Sequence, residues 1–389
     1  MILFFQILFG LSLFGIAQTY IFYPLFLFFL ESIKSKKNTS PELEDYPNIE
    51  ILFAAYNEES VIEEKIHSSF KTDYPKDKIS LRIGSDNSSD KTDELIQKLK
   101  GKYPNLQLRS FKTRTGKSGI INELVNESKA DILILSDANI IFKPDTIPQL
   151  IAPFTDKVGA VGGRIIYDDH KSSGISQQED SYLQLENRIK SAESNLFKSA
   201  MGLEGGCYAI KRELFPIIPP RFFMEDFYVS LSVIEKGYQL LFNANAVCIE
   251  DVSTDNKEEF KRKVRISIGN FQNLGRFKSL VFKRFNPVGF SFLSHKILRW
   301  FTPFFLILLL LSSLVLQEYF QFFKVFAGLY LLFLVLGTLG ILFSQNKSIG
   351  LLKYMGHFFH MNLALLKGFF IYLKGVKSNV WQPTNRNQN

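Results

Sequence analysis

Cysteine is nearly missing: Cys207 and Cys248 are the only two in 389 residues. Two cysteines build no disulfide framework, which excludes a small secreted scaffold. A buried pair of thiols in a reducing, cytosol-facing domain is the expectation. Charge is missing from residues 1–30, where Glu31 is the first charged side chain. There is no internal repeat and no low-complexity tract. The eight-residue P-loop spacing is absent around Gly116-Lys117-Ser118, so an ATPase of that class is not supported. No early glycine-rich loop with Arg and Lys precedes the first helix of the polar region, which counts against a nucleotidyltransferase.

What is present begins with phenylalanine, 39 residues of it, and a net charge of +8. The basic excess clusters beside apolar segments, so anionic lipid headgroups, not nucleic acid, are the expected partner. About 20 apolar residues span a bilayer core, and 1–30 is long enough to be an anchor. A cleaved signal peptide would want a basic start and a shorter apolar region. Lys34, Lys36 and Lys37 follow at once, which places the N-terminus outside and the next domain in the cytoplasm. Residues 297–316 and 324–344 read as a transmembrane hairpin, flanked by Lys296, Arg299 and Lys347. Residues 351–374 carry Lys353, His357, His360, Lys367 and Lys374. A full span would bury several of these at a cost of a few kcal/mol each, so an interfacial or re-entrant helix is expected. Between the two regions, 257–296 interleaves Lys and Arg with Phe, a pattern that suits helices in the headgroup layer. The expected order is an anchor (1–30), a catalytic domain (45–255), interfacial helices (256–296), a hairpin (297–344), and an interfacial helix with tail (351–389). A bacterial inner membrane, with the catalytic part cytoplasmic, is the expected location.

Across 49–166 short apolar runs alternate with segments of helical spacing. Strands are expected at 49–55, 79–85, 105–111, 131–136 and 158–166, with helices after the first four. This is the signature of an α/β fold with a mostly parallel, doubly wound, Rossmann-like sheet. Further on, 176–197 reads as a long amphipathic helix, 203–211 as a glycine-rich loop entering a strand, 225–237 as a helix, and 240–249 as a return to the sheet.

Polar clusters sit just after the apolar runs, where open α/β sheets bind ligands. They are Ala55-Tyr56-Asn57-Glu58-Glu59, Ser85-Asp86-Asn87-Ser88-Ser89-Asp90, Arg114-Thr115-Gly116-Lys117-Ser118-Gly119 and Ser136-Asp137-Ala138-Asn139. Amide, carboxylate and cation together suit a nucleotide diphosphate with a metal. Asp86 can accept from the N–H of a uracil ring, or cap a helix; Asp90 fits the cap better. Asp137, after the most hydrophobic strand, can hold a hard divalent ion, with Asn139 adding a carbonyl oxygen, or begin a turn. Arg114 and Lys117 can neutralise a diphosphate or form a solvated basic turn. Glu225-Asp226 opens a helix, as a cap or as a base for activating a hydroxyl. Nothing local separates these pairs of readings.

Taken together and in order, these motifs resemble the family 2 glycosyltransferases of GT-A fold, in their membrane-anchored branch. The resemblance covers residues 49 to about 275. Ala55-Tyr56-Asn57-Glu58-Glu59 resembles the opening motif, Ser85–Asp90 the nucleotide-binding segment, Gly116–Asn122 the Gly-Lys-x-x-Ala-x-Asn element, and Asp137-Ala138-Asn139 the Asp-x-Asp metal motif. Glu225-Asp226 resembles the acidic base motif, and Gly205-Gly206-Cys207-Tyr208 the acceptor-side strand. The resemblance implies an inverting transfer from a nucleotide-sugar donor, most often UDP-linked, with Mg2+ or Mn2+. The acceptor would be a lipid or a glycan. It implies that Ala55, Asn57, Glu58, Asp86, Lys117 and Asp137 bind the donor, that Asp137 and Asn139 hold the metal, and that Asp226 is the base. Glu225, Gly206 and Arg265 would lie on the acceptor side. A base at a helix N-terminus is expected to have a low pKa, unless burial and Glu225 offset it.

Two departures bear on the activity. The metal motif ends in Asn139, not Asp. Processive polysaccharide synthases of the family carry Gln-x-x-Arg-Trp, and here the stretch reads Arg262-Lys263-Val264-Arg265-Ile266, keeping only the Arg. One-step transfer is therefore expected over a processive exopolysaccharide synthase. A non-catalytic membrane scaffold with a degenerate fold is the alternative of another class. Trp381 resembles the family's C-terminal segment.

Overall fold

The structure, a computed structural model, describes residues 1–34, 46–167, 175–250, 256–282, 286–342 and 350–376. Lys36, Lys37, Lys283, Arg284, Phe285, Lys347 and Trp381 lie outside the described residues. Two compact units are formed, one of Met1–Ser32, Gln177–Glu179 and Asp255–Gly375, the other holding Ile33–Ser176 and Asp180–Thr254.

The chain opens with α1 (Ile2–Ala17), a π-helical turn (Gln18–Phe22) and α2 (Tyr23–Ile33). Leu3, Phe4, Ile7, Leu11 and Phe14 point outward, exposed. A water-soluble helix would bury such a stripe; this one is apolar on nearly all sides.

The second unit follows as β1 (Ile49–Ala55), α3 (Ile62–Phe70), β2 (Ile79–Ser85), α4 (Thr92–Leu99), β3 (Leu106–Ser110), α5 (Lys117–Glu127) and β4 (Ile132–Leu135). Then come β5 (Ile140–Phe142), α6 (Thr146–Ile151), β6 (Val158–Tyr167), α7 (Ile175–Phe197), β7 (Tyr208–Lys211), α8 (Glu225–Glu235) and β8 (Gln239–Glu250). The sheet order is β3-β2-β1-β4-β7-β6-β8-β5. Strands β1 to β4 pair in parallel, as the alternation of apolar runs and helices demands. Strand β7 runs antiparallel between β4 and β6. That reversal is what brings the residues just before Tyr208 to the carboxyl end of β4. The core is aliphatic: Ile49, Ile51, Phe53, Leu81, Ile83 and Ile134 are all buried.

The three-residue β5, antiparallel to β8, lay inside what the sequence presents as a loop. The cysteines correct an expectation. Cys207 and Cys248 are buried, but joined as a disulfide with their Cα atoms 6.5 Å apart. They approach from the strands on either side of β6, and Gly163 leaves room, since a Cβ there would meet Cys207 Sγ.

The remaining helices are α9 (Asn256–Phe277), α10 (Ser279–Phe282), α11 (Pro287–Ser291), a π-helical turn (Phe292–Ile297), α12 (Leu298–Trp300), α13 (Thr302–Leu316), α14 (Gln321–Leu342) and α15 (Gly350–Lys374). The segment read as a straight span over 297–316 is bent by 63° between Pro287–Trp300 and Thr302–Leu316. Pro303 in the first turn of α13 has no N–H to continue the preceding helix. Among the described residues, Ile2–Ile33 and Gln321–Leu342 are long and apolar enough to cross a membrane, and the bent pair makes up to 3. Helices α14 and α15 cross at Gly340 and Gly356, where a Cβ on Gly340 would stand 2.8 Å from the Gly356 nitrogen. Glycine at both positions is what allows that approach.

Candidate active site

Two groups of side chains form at the carboxyl ends of the first strands. The first joins the ends of β1 and β2. Asn57 sits in the left-handed region (φ 53°), and its Oδ1 accepts from the Ser89 amide at 2.8 Å. The Asn57 amide donates to Ser88 Oγ at 3.2 Å, and the Glu58 amide to Thr92 Oγ1 at 2.9 Å. Asp90 accepts from the Thr92 and Glu59 amides, at 3.0 and 3.1 Å. This satisfies donors at the start of α4. Ala55 is buried at the end of β1, and its carbonyl accepts from the Asp86 amide at 2.8 Å.

Asp86 is itself buried, and its carboxylate accepts from the Gly116 amide at 3.1 Å, from Arg114 Nε at 3.0 Å and from the Thr115 amide. The Arg114 guanidinium lies 3.3 Å from the centre of the Tyr56 ring. Asp86 thus organises the loop that leads into α5, and the Tyr56–Arg114 stack lies beside it. Gly116 closes this loop at φ 81°, a conformation that costs glycine least.

The second group holds unlike charges close together. Lys117, the first residue of α5, places Nζ 2.7 Å from Asp137 Oδ1 and 2.8 Å from Glu225 Oε1. Gly205 lines the same spot: a Cβ there would stand 3.4 Å from Asp226 Oδ2 and 3.6 Å from Lys117 Nζ. Lys117, Asp137, Glu225, Asp226 and Gly205 therefore share one cleft. Met224, before α8, takes a left-handed conformation at φ 54°, a strained turn that sets the two carboxylates facing inward.

Burial alone would lower the Lys117 pKa, but Asp137 and Glu225 outweigh it and hold the amine well above its usual value. Asp226 keeps a strip of surface in the cleft, yet protein surrounds it on most sides. Burial, then the neighbouring Glu225 carboxylate, raise its pKa to about 7, against the opposing pull of Lys117 and the Phe227 amide. The helix terminus does not dominate, because desolvation and like charge act on the same carboxylate. Tyr208, at the start of β7, is held well above the usual phenol range by burial and by the carboxylates of Asp226 and Glu225.

The site has a floor that motif reading missed. Lys65 of α3 is fully buried; its Nζ donates to Ser136 Oγ at 2.7 Å and to the Ile140 carbonyl at 2.6 Å. Ser136 Oγ in turn donates to the Gly206 carbonyl at 2.9 Å. The ammonium lies 3.7 Å from the centre of the Phe142 ring. Burial pushes its pKa well below the usual value, with Asp137 pulling the other way. A lysine on the apolar face of α3 was the signal in the sequence. Asn122 was a motif position without an assigned task. Its side chain donates to the Ile218 carbonyl at 2.9 Å and accepts from the Ile218 amide at 3.0 Å, clamping the proline-rich loop before α8.

Other expected residues fall elsewhere. The Asn139 amide donates to Glu250 Oε1 at 3.2 Å, which turns its nitrogen toward β8. Gly206 sits beside Ile140, where a Cβ would come within 2.7 Å. Arg265 lies on α9 in the other unit. Among the described residues, no three acidic, His or Cys side chains are arranged to hold a metal by themselves. Magnesium at phosphates ordinarily needs only one or two carboxylates, the rest coming from water and substrate. Asp137, with its side chain 37% exposed, fits that arrangement.

The sheet is α/β and of GT-A type, with carboxylates and a lysine gathered at its strand ends. The comparisons with known proteins agree. Residues 32–216, a little under half of the chain, match the sequence model described as Glycosyl transferase family 2. It is 24% identical over 260 residues to a probable glycosyltransferase, YdaM, of Bacillus subtilis, covering 62% of this chain and 59% of that one. It is 32% identical over 111 residues to the beta-monoglucosyldiacylglycerol synthase of Synechocystis, covering 28% and 23%. It is 26% identical over 287 residues to the poly-beta-1,6-N-acetyl-D-glucosamine synthase of Staphylococcus aureus, covering 68% of each. The matches thus span about three fifths of the Bacillus protein and about a quarter of the Synechocystis one. Among solved structures, a mannosyltransferase from Pyrobaculum calidifontis in complex with GDP-Man and Mn2+ superposes with a TM-score of 0.68. It is 19% identical, over 94% of this chain and 99% of that one, a likeness of fold.

Proposed function

We propose that this chain is an inverting glycosyltransferase that moves a sugar from a nucleotide donor, UDP-linked, to a lipid or glycan acceptor. It works at the cytoplasmic face of a bacterial inner membrane. The observation that carries the reading is the convergence of Lys117, Asp137, Glu225 and Asp226, from three separate places in the chain, on one cleft.

Asp226 is the base. With its pKa raised to about 7, it is both ionised near neutral pH and basic enough to take a proton. It removes the acceptor hydroxyl's proton as that oxygen attacks the anomeric carbon. The bond from that carbon to the diphosphate oxygen breaks on the opposite face, and the configuration inverts. Lys117 stabilises the departing diphosphate. Its ammonium is held charged between Asp137 and Glu225 and lies within reach of an incoming anion. Asp137 is the residue that would hold Mg2+ or Mn2+, whose charge would offset that of the diphosphate. Ala55, Asn57, Glu58 and Asp86 shape the donor side through the loops they brace, and Arg114 on Tyr56 offers a flat surface to the base. Gly206 belongs to the acceptor side.

Likeness to a glycolipid synthase and to a polysaccharide synthase supports both acceptor classes. The test is transfer from a panel of radiolabelled nucleotide sugars by membranes holding the full chain, with lipid and polymer products separated. Product in either fraction is expected; no transfer from any donor would reject the reading.

A further inference from the structure

Strand β5 is only three residues long, yet it clips the turn that carries Asp137 and Asn139 to β8. Ile140 pairs with Glu250, and Phe142 with Cys248. The turn before it is tight. The Ile140 amide donates to the Asp137 carbonyl at 3.2 Å, and Ala138 between them is buried. Lys65 holds the other side, donating to the Ile140 carbonyl at 2.6 Å. This register sets Asn139 beside the end of β8, where its side-chain nitrogen donates to Glu250 Oε1 at 3.2 Å.

That bond decides which way round the amide sits. A carboxylate oxygen only accepts, so the Asn139 nitrogen faces Glu250 and the oxygen faces away. Asn139 is half-buried, and among the described residues no hydrogen bond is made to its oxygen. An amide oxygen is a hard donor of the kind Mg2+ and Mn2+ accept, whereas an amide nitrogen is not. Turned the other way, the side chain would offer nothing to an ion.

The same pair accounts for asparagine at the position where the motif it resembles has aspartate. A carboxylate at 139 would meet that of Glu250 within hydrogen-bond distance, two like charges side by side. Here the negative charge stands on β8 instead, and the turn presents a neutral oxygen.

We propose that Glu250 is a positioning residue for the metal. It orients Asn139 so that the amide oxygen, together with the Asp137 carboxylate, holds Mg2+ or Mn2+ against the nucleotide diphosphate. Glu250 acts through Asn139 and touches neither the ion nor the substrate. The inference rests on the transferase reading, which supplies the diphosphate and its metal.

The test uses the full chain in detergent micelles with UDP present. Mn2+ affinity is measured from the electron paramagnetic resonance signal of the free ion. Asn139→Ala and Glu250→Met should each weaken Mn2+ by about tenfold, the lower end of the range for groups that orient a metal ligand. The double variant should bind no more weakly than Asn139→Ala alone, because nothing is left to orient. Glu250→Gln keeps an acceptor for the Asn139 nitrogen and should keep most of the affinity. A cooperative thermal transition by circular dichroism shows that each variant is folded, and Glu250→Ala takes the place of Glu250→Met if that one is not.

Wild-type affinity in Glu250→Met overturns the proposal. So does a double variant weaker than Asn139→Ala by the full Glu250→Met factor, which would give Glu250 a role of its own. So does a loss in Glu250→Gln as deep as in Glu250→Met, which would assign the effect to charge and not to orientation. Transfer from radiolabelled donors by the same preparations separates the two readings. Turnover with additive Mn2+ losses rejects the role of Glu250 alone. The expected Mn2+ pattern with no turnover from any donor keeps that role in a metal–UDP site and rejects transfer.

Discussion

The two groups of polar side chains at the strand ends are built on opposite plans. At the ends of β1 and β2, Asn57, Glu59, Ser88, Ser89, Asp90 and Thr92 satisfy one another and the backbone around them. At the ends of β4 and β7, by contrast, one lysine faces three carboxylates, and Asp226 is pushed toward neutrality. The first arrangement is stable as it stands. The second is stable only at an energetic disadvantage that a bound cation or a proton in transit would relieve. A polar cluster that closes on itself braces a loop; one left electrostatically unbalanced is where chemistry is to be sought.

The largest effect expected from breaking this contrast is at Asp226. Asp226→Asn should lower transfer by ~1,000-fold, the middle of the range for a general base, and leave UDP affinity within about twofold by calorimetry. Full activity would remove Asp226 from the mechanism. Its titration sharpens the same point. The base works as the carboxylate, so kcat/KM should fall below about pH 7, by about tenfold per unit well below it. Glu225 is the second cause of that raised pKa, after burial. Glu225→Gln should therefore move the acid limb of the profile to lower pH, and an unmoved limb would place the titrating group elsewhere.

Next comes Lys117. Lys117→Met leaves Asp137, Glu225 and Asp226 without their shared cation. Loss of one charged donor at a leaving group costs about 100-fold in kcat. UDP affinity should fall with it, since the same ammonium meets the diphosphate in the free and reacting states. A variant that loses kcat and keeps UDP affinity would confine Lys117 to the transition state.

Much of this was visible in the sequence, for identifiable reasons. Strands β1, β2 and β4 are apolar runs bounded by polar clusters, and the periodicity of the segments between them allows little but helices. Lys117, Asp137 and Asp226 stood out because each follows or opens a regular element. What could not be read was their mutual distance. The pKa of Asp226 is set by burial and by Glu225, and opposed by a lysine on another helix, so no local pattern contains it. Strand β5 escaped because three residues carry no period. Asp86 stood out as a carboxylate at a strand end, but not as one occupied by Arg114 and two backbone amides, which depends on how the loop into α5 folds back. The disulfide likewise depended on β6 lying between β7, which Cys207 immediately precedes, and β8, which bears Cys248.

Lys65 tests the boundary between the two plans, since it is buried like the bracing group yet charged like the reactive one. Lys65→Met keeps the aliphatic stem and removes the donor to Ser136 and Ile140. Stability should fall by about 1–3 kcal/mol in chemical denaturation, the cost of buried acceptors left unmatched. Transfer should fall about tenfold, because Ser136 no longer holds Asp137 and Gly206 in register. Lys65→Arg, too large for the site, is no rescue. If the Met variant loses stability but not rate, Lys65 is a bracing residue alone.

The smallest effect should come from the group that closes on itself. Asp90→Ala frees the amide of Glu59, at the exposed surface, and that of Thr92, which is buried. The loss at such a helix start is about 1 kcal/mol, visible as a lower denaturation midpoint, and the rate should stay within about twofold. A fall in rate as deep as that of Lys117→Met would mean that the ends of β1 and β2 touch the reacting atoms after all. The division between a bracing cluster and a reactive one would then have to be redrawn around Asp86, which alone reaches from one toward the other through Gly116.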